Sequence, residues 1–258
     1  MFEIKVKITT VSNCMMGSQT DSFSVGGVDQ ATTMDENKKP IIHGSAFKGV
    51  LRNIVRDIEK DSTKMKETKE YVKSLLIKVK DKYTILQAEE ADEKNADGLM
   101  PNKPDKLDIM ISKLETYIEN PKAEYIFGME GINGLPRLFF SDFRVCQANE
   151  KEEKDYFLIE TKNKLEEENG EILSKPRTYR VVKPGVEFEG NICFQNFFFQ
   201  NHSEELKNME LKVKEELETA VEEFNFGFYR IGNSKSRGYG QIQVEISNRK
   251  GNQCLHTK

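Results

Sequence analysis

Alternating apolar and polar positions predict four strands along the chain. Residues 2–8 and 241–246 alternate with the period of a strand that is buried on one face. Two further runs, residues 137–145 and 186–199, are rich in aromatic side chains and are also predicted to be strands. The sequence therefore indicates a sheet whose strands come from distant parts of the chain.

Apolar positions spaced three and four residues apart predict two main helices. The first follows a turn at Gly44 and Ser45 and ends near Lys60. Its apolar face consists of Phe47, Leu51, Ile54, Val55 and Ile58. The second helix covers residues 206–224. The resulting order, βαββαβ, predicts an α+β fold of the ferredoxin-like (RRM-like) type, with both helices on one face of an antiparallel sheet.

The length allows one large domain or two small ones, and we expect a single domain over residues 1–258. Lys- and Glu-rich helical segments over residues 61–124 are predicted to form a helical insertion. Residues 148–180 are highly charged, contain the turn signal Asn169-Gly170, and are predicted to form a projecting, thumb-like hairpin. The ferredoxin-like core is expected in three pieces, at about residues 1–60, 125–147 and 181–247.

Composition and charge argue against several classes of protein. The formal net charge is −4, so a surface that binds nucleic acid would have to be a local one. The four cysteines include no C-x-x-C pair, which argues against a zinc knuckle or a disulfide framework and favours reduced thiols in the cytoplasm. No signal peptide is expected, and no apolar run is long enough to cross a membrane.

Three cations are spaced four residues apart on the first predicted helix. Lys48, Arg52 and Arg56 lie off its apolar face. The turn at Gly44 and Ser45 is expected to leave backbone N–H groups at the helix N-terminus, where anions are favoured. These five residues are candidate contacts to a phosphate backbone. An ordinary solvated basic face would explain the same spacing.

A second glycine-rich segment, residues 226–240, lies between the second helix and the last strand. It combines cations, hydroxyls and tyrosines, which suits single-stranded RNA, because phosphates bind cations and bases stack on aromatic rings. The residues concerned are Tyr229, Arg230, Ser234, Lys235, Ser236, Arg237, Gly238 and Tyr239. The segment is neither a P-loop nor a dinucleotide fingerprint, since it precedes a strand and lacks Gly-Lys-Ser/Thr. A flexible loop whose tyrosines cap the sheet edge is the alternative.

Several segments resemble, in family order, the motifs of the RAMP superfamily of CRISPR-Cas proteins. The resemblance is to the repeating backbone subunit of type III (Csm-type or Cmr-type) effector complexes, and residues 61–124 carry little of it. The matching segments are Gly26 to Asp29, Ile42 to Arg52, Ile126 to Gly128 with Arg137 to Asp142, Pro176 to Val182, and Ser236 to Gly240. His43 departs from the family, which usually has proline at this position.

The resemblance implies a subunit that polymerises along a guide CRISPR RNA, with a thumb that displaces one base between neighbours. Its partners would be guide RNA, target RNA, further copies of itself in a filament and other type III subunits. Guide phosphates would be held by three groups of residues: Gly44, Ser45, Lys48, Arg52 and Arg56; Ser234 to Tyr239; and Arg180. Target sequence would be read by base pairing with the guide.

The resemblance also implies metal-dependent cleavage of the bound target RNA by attack of its 2′-hydroxyl. Asp29 would be the catalytic residue and the metal ligand, with Mg²⁺ or another divalent cation neutralising charge at the phosphate. Asp21 and Asp35 are rival carboxylates in the same stretch. An Asx turn is the alternative role for Asp29.

Three other functions stay open. A non-catalytic architectural or end-cap subunit of the same complex would bind RNA without cutting it. An endoribonuclease that processes CRISPR precursor RNA would use His43 as a general acid or base, although a lone histidine is more often a hydrogen-bonded turn residue. A ferredoxin-like binder of small molecules would show no salt-dependent affinity for RNA.

Overall fold

The computed structural model describes residues 2–17, 32–96, 106–132, 135, 137–146, 153–168, 171–195 and 204–247. Its strands are β1 (Phe2–Thr10), β2 (Ile41–Ile42), β3 (Arg137–Phe140), β4 (Phe143–Val145), β5 (Phe157–Glu168), β6 (Glu171–Val182), β7 (Glu187–Gln195) and β8 (Ile242–Ile246). Its helices are α1 (Gly44–Ile58), α2 (Lys66–Ala96), α3 (Lys106–Glu119), α4 (Glu153–Tyr156) and α5 (Glu204–Glu222), with 3₁₀ turns at Ala123–Phe127, Glu223–Phe226 and Lys235–Arg237. None of the helices described is both long and apolar enough to cross a membrane.

The main sheet has the strand order β2-β4-β7-β1-β8, and β3 also pairs with β7. β1 and β8 are antiparallel, with Val6 opposite Ile246 and Thr10 opposite Ile242. Burial alternates along both strands, as the period-2 pattern predicts. The predicted α+β class is confirmed, while the finer ferredoxin-like description stays a prediction.

The prediction of one continuous strand over residues 137–145 is wrong, because the chain breaks at Ser141 and Asp142 into β3 and β4. The Ser141 N–H donates to the Asn191 carbonyl at 3.0 Å, and the Ser141 hydroxyl accepts the Asn191 N–H at 2.8 Å. These bonds hold the break against β7. They leave the Asp142 side chain free to reach the start of α1.

Other element boundaries shift by a few residues. α1 ends at Ile58 rather than near Lys60, and α5 ends at Glu222, where a 3₁₀ turn continues the chain. β7 is described as far as Gln195, so the end of the predicted strand, residues 196–199, lies outside the described part of the chain. These shifts leave the order of the main elements unchanged.

The chain divides into two compact units, and the boundary passes through α1 between Leu51 and Arg52. The first unit comprises the described residues within 52–139 and 193–217, with Phe2; the second comprises those within 3–51, 140–192 and 218–247. The first unit contains α2 and α3, and the second contains the two-stranded hairpin β5–β6. The predicted limits of the insertion and of the thumb stay predictions.

In the first unit, a carboxylate from α5 caps the N-terminus of α2. Glu216 accepts the backbone N–H of Glu67 at 3.1 Å and that of Thr68 at 2.8 Å. A negative charge at a helix N-terminus is favourable because the unpaired N–H groups there carry partial positive charge. Close by in sequence, the buried Tyr71 donates to Glu210 at 2.9 Å. The buried hydroxyl of Tyr71 and the carboxylate of Glu210 therefore satisfy each other.

In the second unit, the first half of α1 packs on an aromatic cluster. The Phe47 ring centroid lies 4.7 Å from that of Phe143 and 4.9 Å from that of Phe224. All three side chains are fully buried. Burying one such side chain contributes about 1.5–3 kcal/mol. The cluster therefore fixes the start of α1 on the sheet.

Candidate nucleic-acid interface

A ladder of backbone hydrogen bonds joins the second glycine-rich segment to the entry of α1, within the second unit. The Asn233 N–H donates to the Met15 carbonyl at 2.8 Å. The Thr33 N–H donates to the Met16 carbonyl at 2.9 Å, and the Ile41 N–H donates to the Thr33 carbonyl at 3.1 Å. Neighbouring backbones in such a ladder are about 4.8 Å apart, so its three steps span about 15 Å. One framework thus carries both candidate segments.

The two residues that flank the segment containing Asp29 adjoin this ladder. Residues 18–31, which include Asp29 and its rival Asp21, lie outside the described part of the chain. The residues on either side of them, Gly17 and Thr32, are paired by an antiparallel bridge. The Thr32 hydroxyl also donates to the Arg180 carbonyl at 2.9 Å. Thr32 is therefore held beside β6, and Gly17 is paired with Thr32.

Asp35, the third candidate aspartate, forms a turn. Its Oδ1 accepts the backbone N–H groups of Asn37 and Lys39, each at 2.9 Å, as in an Asx turn. Its side chain is only 8% exposed, and Oδ2 lies 3.7 Å from Nη1 of Arg144. These contacts give the Asp35 carboxylate a structural role in the turn.

A carboxylate closes the start of α1, where the sequence predicts donors for a phosphate. The Gly44 N–H donates to Oδ1 of Asp142 at 2.9 Å, and Nδ1 of His43 lies 3.5 Å from the same oxygen. A Cβ at Gly44 would lie 2.6 Å from the carbonyl oxygen of Ser141 and 2.7 Å from that of Phe140. Gly44 is therefore needed for close packing, and its N–H already has an acceptor.

Two of the three cations on α1 share one glutamate in the first unit. Nη2 of Arg56 lies 2.7 Å from Oε2 of Glu124, and Nε of Arg52 lies 3.3 Å from the same atom. Burial raises the pKa of Glu124, but the hydrogen bonds and charges of Arg56 and Arg52 outweigh burial and hold the pKa below its ordinary value. Lys48 is half-buried and belongs to the second unit, as does the exposed Ser45. The cations therefore do not form the uniform positive line that their spacing predicts.

The 3₁₀ turn Lys235–Arg237 presents two cations to solvent. Lys235, Ser236, Arg237 and Gly238 are exposed, and Ser234 is half-buried. Within the described part of the chain, neither Lys235 nor Arg237 has an ion pair or a side-chain hydrogen bond. Ser234 and Gly238 take left-handed conformations, with φ of 58° and 90°, and so make the turn tight.

Tyr239 is part of the core, which corrects its predicted role in stacking on RNA bases. Its side chain is 7% exposed and packs with Met15 and Val181. The Lys162 ammonium lies 4.0 Å from its ring centroid and also contacts its hydroxyl, which donates to Glu160. The fold therefore uses Tyr239 to hold β5 against the second glycine-rich segment.

Arg180 in β6 lies at the root of the β5–β6 hairpin and is half-buried. Its guanidinium carbon is 5.9 Å from the centroid of the Phe157 ring, and Nη1 is 3.5 Å from Sδ of Met34. Because its carbonyl also accepts from Thr32, Arg180 connects the hairpin with one end of the segment that carries Asp29.

Comparison with known proteins assigns the family. The model of the RAMP superfamily matches residues 7–243. The chain belongs to the RAMP superfamily. Among solved structures, one match is described as a cryo-EM structure of the Type III-B Cmr-beta bound to cognate target RNA. Its TM-score is 0.46 and its sequence identity 16%; the match covers 95% of this RAMP protein but only 60% of the other chain. No curated protein matches.

Two residues that shape the site of this RAMP protein, Glu124 and Asp142, escape sequence reasoning. Glu124 lies 72 residues from Arg52 and 68 from Arg56, and Asp142 lies 98 residues from Gly44. Hydrophobic periodicity predicts which residues share a face of one helix or strand, and it does not predict contacts between residues so far apart in sequence. Only the family resemblance marks the segment that contains Asp142.

The described residues give no geometry for a metal ion. Among them, no three His, Cys, Asp or Glu side chains lie close enough together to hold one. Asp29, the predicted Mg²⁺ ligand of this RAMP protein, lies outside them. The fit of Asp29 to a metal therefore stays a prediction.

Proposed function

We propose that this RAMP protein binds a guide CRISPR RNA as a backbone subunit of a type III effector complex. The exposed cations Lys235 and Arg237 carry the proposal, because they lie on the framework that also holds Gly17 and Thr32, the residues flanking 18–31. Membership of the superfamily and the family order of the motifs support the same function. The chain has a net charge of −4, so the positive charge of this turn attracts phosphate only locally.

Guide phosphates are proposed to lie along the turn from Ser234 to Gly238. Two cations and two hydroxyls there can bind phosphate oxygens, and Gly238 permits a close approach of the backbone. Lys48 and Ser45, in the same unit, are proposed to extend this contact. Such contacts position the RNA without reading its sequence, which base pairing with the guide would do.

Arg52 and Arg56 are also proposed to contact phosphates, in competition with Glu124. Glu124 already offsets part of their positive charge, so each would exchange a protein carboxylate for an RNA phosphate. Gly44 is expected to act through packing alone.

In the proposed assembly, copies of this protein stack along the guide beside other type III subunits, and the β5–β6 hairpin acts as the thumb. The hairpin is a two-stranded ribbon with Phe157 paired to Val182 at its root and Glu168 paired to Glu171 at its far end. Its root is tied to the body by the bridge between Cys14 and Val182. An isolated ribbon of this kind is marginally stable in water, so contact with RNA or a neighbour would stabilise it.

We further propose that Asp29 takes part in cleaving the target RNA. The bridge between Gly17 and Thr32 would hold its segment beside the guide-binding turn. A divalent cation, when bound, would neutralise charge on the phosphate that the 2′-hydroxyl attacks.

The test uses complexes assembled with guide RNA and either the unmodified chain, Asp29→Ala or the control Asp21→Ala. We expect Asp29→Ala to abolish target cutting in Mg²⁺ while guide and target binding stay unchanged, and Asp21→Ala to cut normally. Failure of Asp29→Ala to assemble would make Asp29 structural. Undiminished cutting would place catalysis elsewhere, and no cutting by the unmodified complex would favour an architectural or end-cap subunit.

His43 and Asp142 support a second candidate, an endoribonuclease that processes CRISPR precursor RNA. Nδ1 of His43 lies 3.5 Å from the Asp142 carboxylate, and a carboxylate at this distance can orient an imidazole for proton transfer through Nε2. This candidate requires the isolated protein to cut repeat RNA without metal. His43→Ala would abolish that activity, whereas metal-dependent target cutting would survive it.

A further inference from the structure

Two phenylalanines of the second unit stand out by their exposure. Phe226 is 79% exposed and Phe228 is 82% exposed, whereas Phe224, two residues earlier, is fully buried. Exposing so much of an aromatic ring to water forgoes the stabilisation that burial would give. Neither residue belongs to the predicted RNA contacts, so their exposure requires its own explanation.

The backbone around these rings is held firmly. Asn225 pairs with the backbone of Val244 through two hydrogen bonds, Nδ2 to the carbonyl at 3.1 Å and the Val244 N–H to Oδ1 at 2.7 Å. Gly227 takes φ of 73°, and a Cβ there would lie 2.8 Å from Nε2 of Gln241. The chain between the two rings is therefore clamped along β8, and the rings project from an ordered segment.

Three cations belong to the same glycine-rich segment as the rings. Nη1 of Arg230 lies 3.5 Å from the Tyr239 carbonyl, which brings this guanidinium to the returning arm of the same segment. The exposed Lys235 and Arg237 lie on the turn between the two arms. The hydroxyls of Ser234 and Ser236 lie there too. A segment that carries exposed apolar rings together with cations and hydroxyls matches a nucleotide, which has a flat base and a charged phosphate.

We propose that Phe226 and Phe228 form a stacking platform for two successive unpaired nucleotides of RNA. Two residues apart, their Cα atoms are separated by at most about 7 Å, so successive bases of one strand can reach them. This site takes over the stacking that the sequence assigns to Tyr239, whose ring is buried under Lys162. The platform rests on the proposed function, because it needs RNA to be the ligand of this segment.

Substitution by leucine tests the platform, because leucine keeps an apolar side chain but removes the π face. Phe226→Leu and Phe228→Leu should each weaken the binding of a single-stranded RNA oligonucleotide by the 258-residue chain roughly tenfold. The slope of affinity against salt should not change, since no phosphate contact is lost. Phe139→Leu, at another exposed phenylalanine, is the matched control and should bind normally.

A tryptophan reporter gives an independent readout. The chain contains no tryptophan, so Phe228→Trp provides the only indole. This variant should bind RNA at least as tightly as the unmodified chain, and its emission should be quenched when a base stacks on it. Unquenched emission at saturating RNA would overturn the platform.

The outcomes of these experiments distinguish failure of the stacking platform from failure of the proposed RNA-binding function. Normal RNA affinity in both leucine variants, with weakened affinity in Lys235→Ala, would overturn the platform and leave the function standing. Absence of any salt-dependent RNA binding by the unmodified chain would overturn both. A third outcome is possible in Phe226→Ala and Phe228→Ala. If both variants bind RNA normally but no longer associate with neighbouring subunits, and if leucine at the same positions restores that association, the rings form a protein-docking surface instead.

Discussion

The backbone N–H of Gly44 donates a 2.9 Å hydrogen bond to the carboxylate of Asp142, which lies in the break between two strands. The negative charge faces the positive end of α1, where it is favourable. Asp142 thereby acts as a cap supplied from outside the helix. The same contact ties the start of α1 to the sheet of the second unit.

Asp142→Ala should lower the free energy of unfolding by about 0.5–2 kcal/mol, the range for losing a helix N-cap. Asp142→Asn keeps an oxygen acceptor and should lose less. Urea unfolding followed by circular dichroism measures both variants. Equal stability of Asp142→Ala and the unmodified chain would show that the contact with Gly44 contributes nothing.

Two glycines of α1 should respond to alanine in opposite directions. Gly44→Ala places Cβ within 2.7 Å of two backbone oxygens, so the helix start must shift and stability should fall. Gly49→Ala meets nothing within 4 Å and should raise stability by about 0.5–1 kcal/mol, because alanine favours the helix. Thermal unfolding compares the pair, and a loss of stability in Gly49→Ala would contradict the open space seen there.

The pairing of Glu124 with Arg56 and Arg52 should make stability depend on pH. The folded-state pKa of Glu124 is held below its ordinary value of 4.5, so the stabilisation is present above that value and is lost as pH falls through the folded-state pKa. Urea unfolding at pH 7 and below pH 4.5 should show a smaller pH difference for Glu124→Gln than for the unmodified chain. An identical difference in both would argue that other carboxylates dominate.

The contribution of each cation to the proposed RNA binding can be measured from the salt dependence of the affinity. Lys235→Ala and Arg237→Ala should each reduce the slope of log affinity against log salt by about 0.7, the value for one phosphate contact on a single strand. Arg56→Ala should reduce it less, because Glu124 already offsets that charge. A larger effect for Arg56 would place the guide on the helix and not on the turn.

Two cysteines should resist thiol reagents while the protein is folded. Burial raises the pKa of Cys14 to about 12 and that of Cys146 to about 12, so the reactive thiolate is scarce at pH 8. Peptide mapping after alkylation should find both unmodified until denaturant is added. Rapid labelling of Cys14 in the native protein would mean that its bridge to Val182 opens readily.

Local periodicity predicted the order of strands and helices because each element buries one face, and the face repeats with the element's own period. The alternation in β1 and β8 and the apolar face of α1 are such cases. The break at Ser141 was missed because a hydrogen bond to Asn191, 50 residues away, decides it. The sequence of residues 137–145 does not by itself predict which strand they will pair with.

The candidate site was less predictable for the same reason. Lys235 and Arg237 are exposed on a turn between two left-handed residues, and their role in binding RNA stays a prediction. Arg56 and Tyr239 gain partners, Glu124 and Glu160, from distant parts of the chain. Spacing indicates which charges share a surface, but only the fold shows which of them are already neutralised.

The bridge between Gly17 and Thr32 closes the stretch between them at its base. Closing a loop costs only roughly 0.6 kcal/mol more for each doubling of its length. Evolution can therefore lengthen, shorten or rewrite the intervening residues without disturbing the sheet. If Asp29 cuts the target as proposed, a lineage could gain or lose the cutting step in this way and keep the proposed RNA-binding turn.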